Sequence, residues 1–80
     1  MIPEKIRELV LRELELDEAA RVVPEARFVD DLGADSLKIF ALVTALEDAF
    51  DVSIDDNEIQ DIQTVADAVR TVEGLVAGRV

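Results

Sequence analysis

The sequence contains no cysteine and no histidine. Disulfide frameworks, thiolate or imidazole metal sites, and Cys/His or Ser/His nucleophile pairs are therefore excluded, and with them most enzyme chemistry. Basic residues are also few: 8 Lys and Arg stand against 19 Asp and Glu, for a formal charge of −11 at pH 7. Polyanions are bound by basic groups that displace counterions, so nucleic acid is excluded as a partner and anionic membranes are disfavoured. No apolar run approaches the roughly 18 residues of a bilayer-spanning helix. The opening Met1-Ile2-Pro3-Glu4-Lys5 lacks the basic-then-apolar order of a secretion signal, so a cytoplasmic location is expected.

What the chain does have is apolar content. Half of its 80 residues are hydrophobic, enough to offset conformational entropy in one modest core, so a single folded domain over residues 1–80 is expected. The spacing predicts a first helix from about Pro3 to Leu14 or Leu16, with Ile2, Ile6, Leu9, Val10 and Leu14 on one stripe and Pro3 and Glu4 at its start. Asp17 to Gly33 shows no sustained period. Its Val22, Val23, Phe28, Val29 and Leu32 imply a long loop packed over the core rather than a free one. A second helix is predicted from Asp35 or Ser36 to about Asp51, with Ile39, Leu42, Val43, Leu46, Ala49 and Phe50 inward. It carries more apolar residues than one core face can use, so Leu37 and Phe40 are candidates for exposure.

After Ile54, the run Asp55-Asp56-Asn57-Glu58 opens a short helical turn reaching Ile62. Thr64 and Asp67 have the spacing of a capping box that starts a last helix, whose apolar stripe is Val65, Ala68, Val69, Val72 and Val76. Gly74 and Gly78 weaken its end, and the final residues are expected to fray. The expected fold is all-α: a four-helix bundle with a short third helix and a long loop between the first two. Within it, residues 30–61 hold ten acids and one base, Lys38. Because that stretch is also apolar, it must present its charge as a folded patch, which suits basic partner proteins.

The chemically informative run is Asp30-Asp31-Leu32-Gly33-Ala34-Asp35-Ser36-Leu37. It places one serine hydroxyl at the start of a helix, behind a glycine turn. A phosphate attached there would be stabilised by the positive helix end. From the residues alone, Ser36 or Asp35 equally well serves as an ordinary helix cap.

The seven residues Asp-Leu-Gly-Ala-Asp-Ser-Leu, followed by an apolar helix containing Ala45-Leu46-Glu47-Asp48-Ala49-Phe50, resemble the acyl carrier protein family. The resemblance runs over nearly the whole chain, through Phe50-Asp51-Val52-Ser53-Ile54 and Ile62-Gln63-Thr64-Val65. It implies a non-catalytic carrier in which Ser36, between Asp35 and Leu37, bears 4′-phosphopantetheine donated by coenzyme A. The terminal thiol of that arm would carry acyl groups as thioesters, supplying the sulfur that the chain lacks. The resemblance further implies docking by Leu37, Lys38, Phe40, Ala41, Thr44, Glu47 and Asp48, with Asp56 adding to the same face. It implies an acyl shelter lined by Leu42, Leu46, Ile62 and Ala68, which are equally ordinary core residues. The implied partners of this expected monomer are a phosphopantetheinyl transferase and the acyl-transferring, condensing or ligating enzymes of fatty-acid or lipid metabolism, with basic docking patches.

Other readings have weaker support. A polyketide or peptidyl carrier would share fold and serine, although Ala34-Asp35 and the acidity resemble the fatty-acyl branch more. Calcium loops fail in both registers: counting from Asp51 puts Asp56 at the glycine place and Ile62 at the bidentate acid, and counting from Asp30 puts Asp35 and Ala41 there. A serine hydrolase lacks a base and a nucleophile elbow, and Ile39 stands where a Ser-x-x-Lys enzyme needs lysine. An acidic helical adaptor without a prosthetic group would use the same exposed residues.

Lys38 and Ala41 stand where the family usually has acids, and Phe40 is bulkier than usual, which points to a specialised carrier with a dedicated enzyme set. General fatty-acid enzymes should then accept Lys38→Glu several-fold better than the parent chain in acyl-transfer assays. Equal and efficient use of both would defeat that reading.

Overall fold

The computed structural model describes residues 2–78, in which four α-helices surround one core. Helix α1 spans Glu4–Glu13, α2 Ser36–Phe50, α3 Asp56–Asp61 and α4 Val65–Ala77. The all-α four-helix expectation, including the short third helix, matches this order. Pro3 lies just before α1 at its cap position rather than within the first turn, and contributes no side-chain cap. Ile2, Ile6, Leu9, Val10 and Leu14 are all buried, as their 3.6-residue spacing requires. The end of α4 at Arg79 and Val80, where fraying was expected, lies outside the described residues.

Side-chain caps set the helix starts. The Asp35 carboxylate accepts the Lys38 N–H at 2.9 Å. Asp55 and Glu58 form a capping box at α3, and Thr64 and Asp67 form another at α4. Each cap satisfies backbone donors that the first helical turn leaves without partners. Desolvation raises the Asp67 pKa, but the Thr64 and Gln63 N–H groups, the Thr64 hydroxyl and Arg70 more than reverse this, leaving it below the usual carboxylate range. Helix α2 closes at Asp51, in a left-handed conformation (φ 54°).

The long loop is integrated into the bundle by backbone bonds. Phe28 N–H donates to Gln63 O at 2.9 Å, Val65 N–H to Ala26 O at 3.0 Å and Ala66 N–H to Pro24 O at 2.9 Å. These fasten residues 24–28 along the α3–α4 junction, with one antiparallel bridge between Arg27 and Thr64. Arg7 reaches from α1 to the carbonyls of Ala19, which opens a 3₁₀ turn at Ala19–Arg21, and of Val22, which closes it. Val22, Phe28 and Leu32 are buried as expected, but Val23 and Val29 face solvent. For Val29 the cause is local: side chains alternate across the bridged segment, so the neighbour of Phe28 cannot follow it inward, while Val23 lies just before that segment.

Two other inward assignments also change. Ala49 on α2 is exposed and Val76 on α4 is partly so, because the core in the middle of each helix is already filled by Leu42, Val43, Leu46, Val69 and Val72. The link from α2 to α3 is held by Glu47, whose Oε2 accepts the Ile54 N–H at 2.7 Å.

Phe28→Ala should cost about 3–5 kcal/mol in urea unfolding, as a fully buried ring is lost. Val29→Ala, one residue away, should stay within about 0.5 kcal/mol. For Glu47, the amide variant Glu47→Gln keeps an acceptor for Ile54 and should melt near the parent temperature. Glu47→Ala should cost about 1–2 kcal/mol, because the part-buried N–H then lacks a partner.

Candidate functional site

Ser36 lies where the loop enters α2. Residues 27–33 fold back on themselves, with the Asp31 and Leu32 N–H groups donating to Arg27 O and Gly33 N–H to Val29 O. Gly33 has φ +70°, a conformation strained for residues with a side chain although no atom lies near its absent Cβ. Ala34 N–H then donates to Phe28 O at 2.8 Å. The start of α2 is thereby tied to the buried Phe28 and through it to the α3–α4 junction.

This path settles which residue caps the helix. Asp35 supplies both acceptors, its side chain to Lys38 N–H and its carbonyl to Ile39 N–H. Ser36 is the first helical residue, exposed, and its hydroxyl has no hydrogen-bond partner among the described residues. The hydroxyl is free for chemistry without loss of the cap. The neighbouring Ser36 and Leu37 N–H groups likewise have no protein acceptor among the described residues. An exposed hydroxyl beside open donors at the positive end of a fifteen-residue helix fits a phosphodiester, and so fits the phosphopantetheine arm.

Acids close to Ser36 are engaged locally. Arg27 pairs with Asp31 through Nε at 3.1 Å and with Asp30 through Nη1 at 3.4 Å. The side-chain bond from Arg27, with its backbone N–H, holds the Asp31 carboxyl below its ordinary value. Arg21 adds a 2.7 Å bond to the Asp31 carbonyl.

The expected docking residues separate into groups. Leu37, Phe40, Thr44 and Asp48 are exposed at 3–4-residue spacing along one face of α2, flanked by half-buried Lys38 and Ala41. The Thr44 hydroxyl donates back to Phe40 O at 3.0 Å. Glu47 is half-buried and bonded to Ile54, so its carboxylate braces the loop. Asp56 is exposed in the first turn of α3.

Leu42, Leu46, Ile62 and Ala68, the expected acyl-lining set, are all buried in the common core. Of these only Ile62 borders the cavity next to the start of α2. That cavity, about 260 Å³, lies between Phe28, Val29, Ile39 and Ile62, with Arg27 and Gln63 at its rim. Sequence reasoning missed Phe28, Val29 and Ile39 as lining residues. Ile39, one turn beyond Ser36, was accessible from helical spacing, whereas the two loop residues are brought there only by the Phe28–Gln63 bond. Among the described residues no cluster of three acids could hold a metal ion, and no helix is long and apolar enough to cross a membrane.

Comparison with known proteins agrees with this geometry. The phosphopantetheine attachment-site family matches residues 4–72. An acyl carrier protein of Solidesulfovibrio magneticus (strain ATCC 700980 / DSM 13731 / RS-1) is 47% identical over 72 residues, covering 90% of this chain and 91% of the relative. With the serine exposed at a helix start and the fold all-α, the chain belongs to the acyl carrier protein family, the non-enzymatic carriers of acyl groups on phosphopantetheine.

Proposed function

We propose that Ser36 Oγ is the attachment point of the arm and that the chain, acting as a single carrier unit, shuttles acyl groups between enzymes that dock on the exposed face of α2. The observation that carries this is the division of labour at the helix start: Asp35 makes the cap and Ser36 is left exposed with its hydroxyl unengaged. In loading, Ser36 Oγ attacks the β-phosphorus of coenzyme A and loses its proton to a base of the transferase. The phosphoanhydride bond breaks, and adenosine 3′,5′-bisphosphate leaves. When bound, the arm supplies a thiol that holds an acyl group as a thioester.

Around that point, the residues of this chain bind and orient. The open N–H groups and the helix dipole favour the phosphodiester charge. The cavity lined by Phe28, Val29, Ile39 and Ile62 offers apolar surface to the first carbons of a cargo, while Leu42, Leu46 and Ala68 belong to the buried core. Asp48 on that face and Asp56 in the first turn of α3 are exposed acids, and they attract basic partner patches over about 8–10 Å at ordinary salt. Such attraction speeds encounter without holding a complex long, as a shuttle needs. We place the protein in the cytoplasm, where coenzyme A is available for loading, and its partners among acyl-handling enzymes and a phosphopantetheinyl transferase.

Intact-mass measurement after incubation with coenzyme A and a phosphopantetheinyl transferase tests the assignment. The parent should gain one arm. Ser36→Ala should gain none, keep its helical circular dichroism and unfold within about 0.5 kcal/mol of the parent, since the cap belongs to Asp35. A mass gain on Ser36→Ala would refute the proposal.

A further inference from the structure

The turn from Arg27 to Ala34 leads into Ser36, and one side chain closes it. Asp31 Oδ2 accepts the Arg27 N–H at 2.8 Å and Arg27 Nε at 3.1 Å, while Oδ1 accepts Nη2 at 3.3 Å. In the other direction the Asp31 N–H donates to Arg27 O at 3.0 Å, and the Asp31 carbonyl takes the 2.7 Å bond from Arg21. Two-point pairing of a guanidinium with a carboxylate fixes direction as well as distance. Each partner registers the contact: the side-chain bond between them lowers the Asp31 carboxyl and raises the Arg27 guanidinium from their ordinary values. Both side chains are exposed, so the pair adds little to global stability. What it holds is the joint before α2. Gly33 has φ +70°, and glycine takes either sign of φ about as readily, so it permits the turn without fixing it. Leu32 and Ala34 are buried on the inner side of the turn. On the exposed side, at Val29 to Asp31, the side-chain bonds among the described residues come from Arg21 and Arg27 alone.

We propose that Arg27 and Asp31 are positioning residues for the loading of Ser36: interlocked across the neck of the turn, they keep Gly33 in one conformation, so that Ser36 Oγ meets the transferase in one orientation. The proposal rests on Ser36 being the attachment point. The pair acts through the turn, without touching coenzyme A or the enzyme. A carrier whose turn is closed only part of the time presents a competent serine only part of the time, and its apparent affinity falls by that fraction. KM therefore rises, while kcat is kept because the turn is ordered once bound. Lysine does not replace arginine in this role. It keeps the charge, but a point donor lacks the planar fork that engages both carboxylate oxygens.

The test measures KM and kcat for loading by a phosphopantetheinyl transferase with coenzyme A, read by intact mass. It compares the parent with Arg27→Lys, Arg27→Gln, Asp31→Asn and the double variant Arg27→Gln/Asp31→Asn. Each single variant, Arg27→Lys included, should raise KM roughly fivefold with kcat kept, the upper end for an exposed pair. The double variant should match either single one, since the same pair is lost in all of them, whereas two separate contacts with the enzyme would multiply. Native-state hydrogen exchange gives a readout without the enzyme. The Gly33 and Ala34 amides should exchange roughly fivefold faster in Arg27→Lys, with the Leu46 amide unchanged. A KM within twofold of the parent for Arg27→Lys, a double variant near the product of its singles, unchanged Gly33 and Ala34 exchange, or loss of the helical circular dichroism in a single variant would each overturn the proposal while Ser36 stands. A parent that gains no mass, or gains it away from Ser36, would overturn the attachment reading and the proposal with it.

Discussion

The structure depends on the backbone pairing of residues 24–28 with residues 63–66. This pairing buries Phe28, and Phe28 O in turn receives Ala34 N–H. Ala34 is the last residue before the α2 cap, so the position of Ser36 is set by contacts made far from it in sequence. A loop of this length, free to move, would leave the serine at an undefined angle to the bundle. Fastened at both the α1 side by Arg7 and the α4 side by backbone bonds, it behaves as part of the core. The Ser36 hydroxyl therefore stands on a base fastened to the core while remaining exposed.

Electrostatics follows from the same arrangement. The ten acids of residues 30–61 do not form a uniform negative sheet. Asp35, Asp55 and Glu58 cap helices, Asp30 and Asp31 pair with Arg27, and Glu47 holds Ile54. Carboxylates used in this way satisfy backbone donors or pair with a nearby guanidinium, so the fold fixes their orientation while they keep their charge. Asp48, Asp56 and Asp61 are exposed and make no such bond among the described residues. High acidity is thus in part a structural device of a small domain with short helices, whose many ends need acceptors.

The family assignment and the geometry bear on different questions. The match over residues 4–72 and the 47% identical relative establish what kind of carrier this is. The local structure explains how a serine can be both next to a cap and free of it. Adjacent Asp and Ser are both competent to cap, and the choice between them leaves one side chain idle. Here the longer carboxylate takes the Lys38 N–H and the hydroxyl is the idle group.

The sequence by itself determined the helices, the buried stripe of α1, the Thr64–Asp67 capping box and the candidate serine. Periodicity and capping are local, and each is readable within a few residues. The exposure of Leu37 and Phe40 was also legible, because α2 carried more apolar groups than one face could bury. Only the tertiary structure decided which of Asp35 and Ser36 caps α2, that Val23 and Val29 face solvent while Phe28 does not, that Glu47 braces the chain at Ile54, and which residues border the cavity. These depend on hydrogen bonds between segments distant in sequence, and a one-dimensional pattern holds no record of which donor meets which acceptor once the chain has folded.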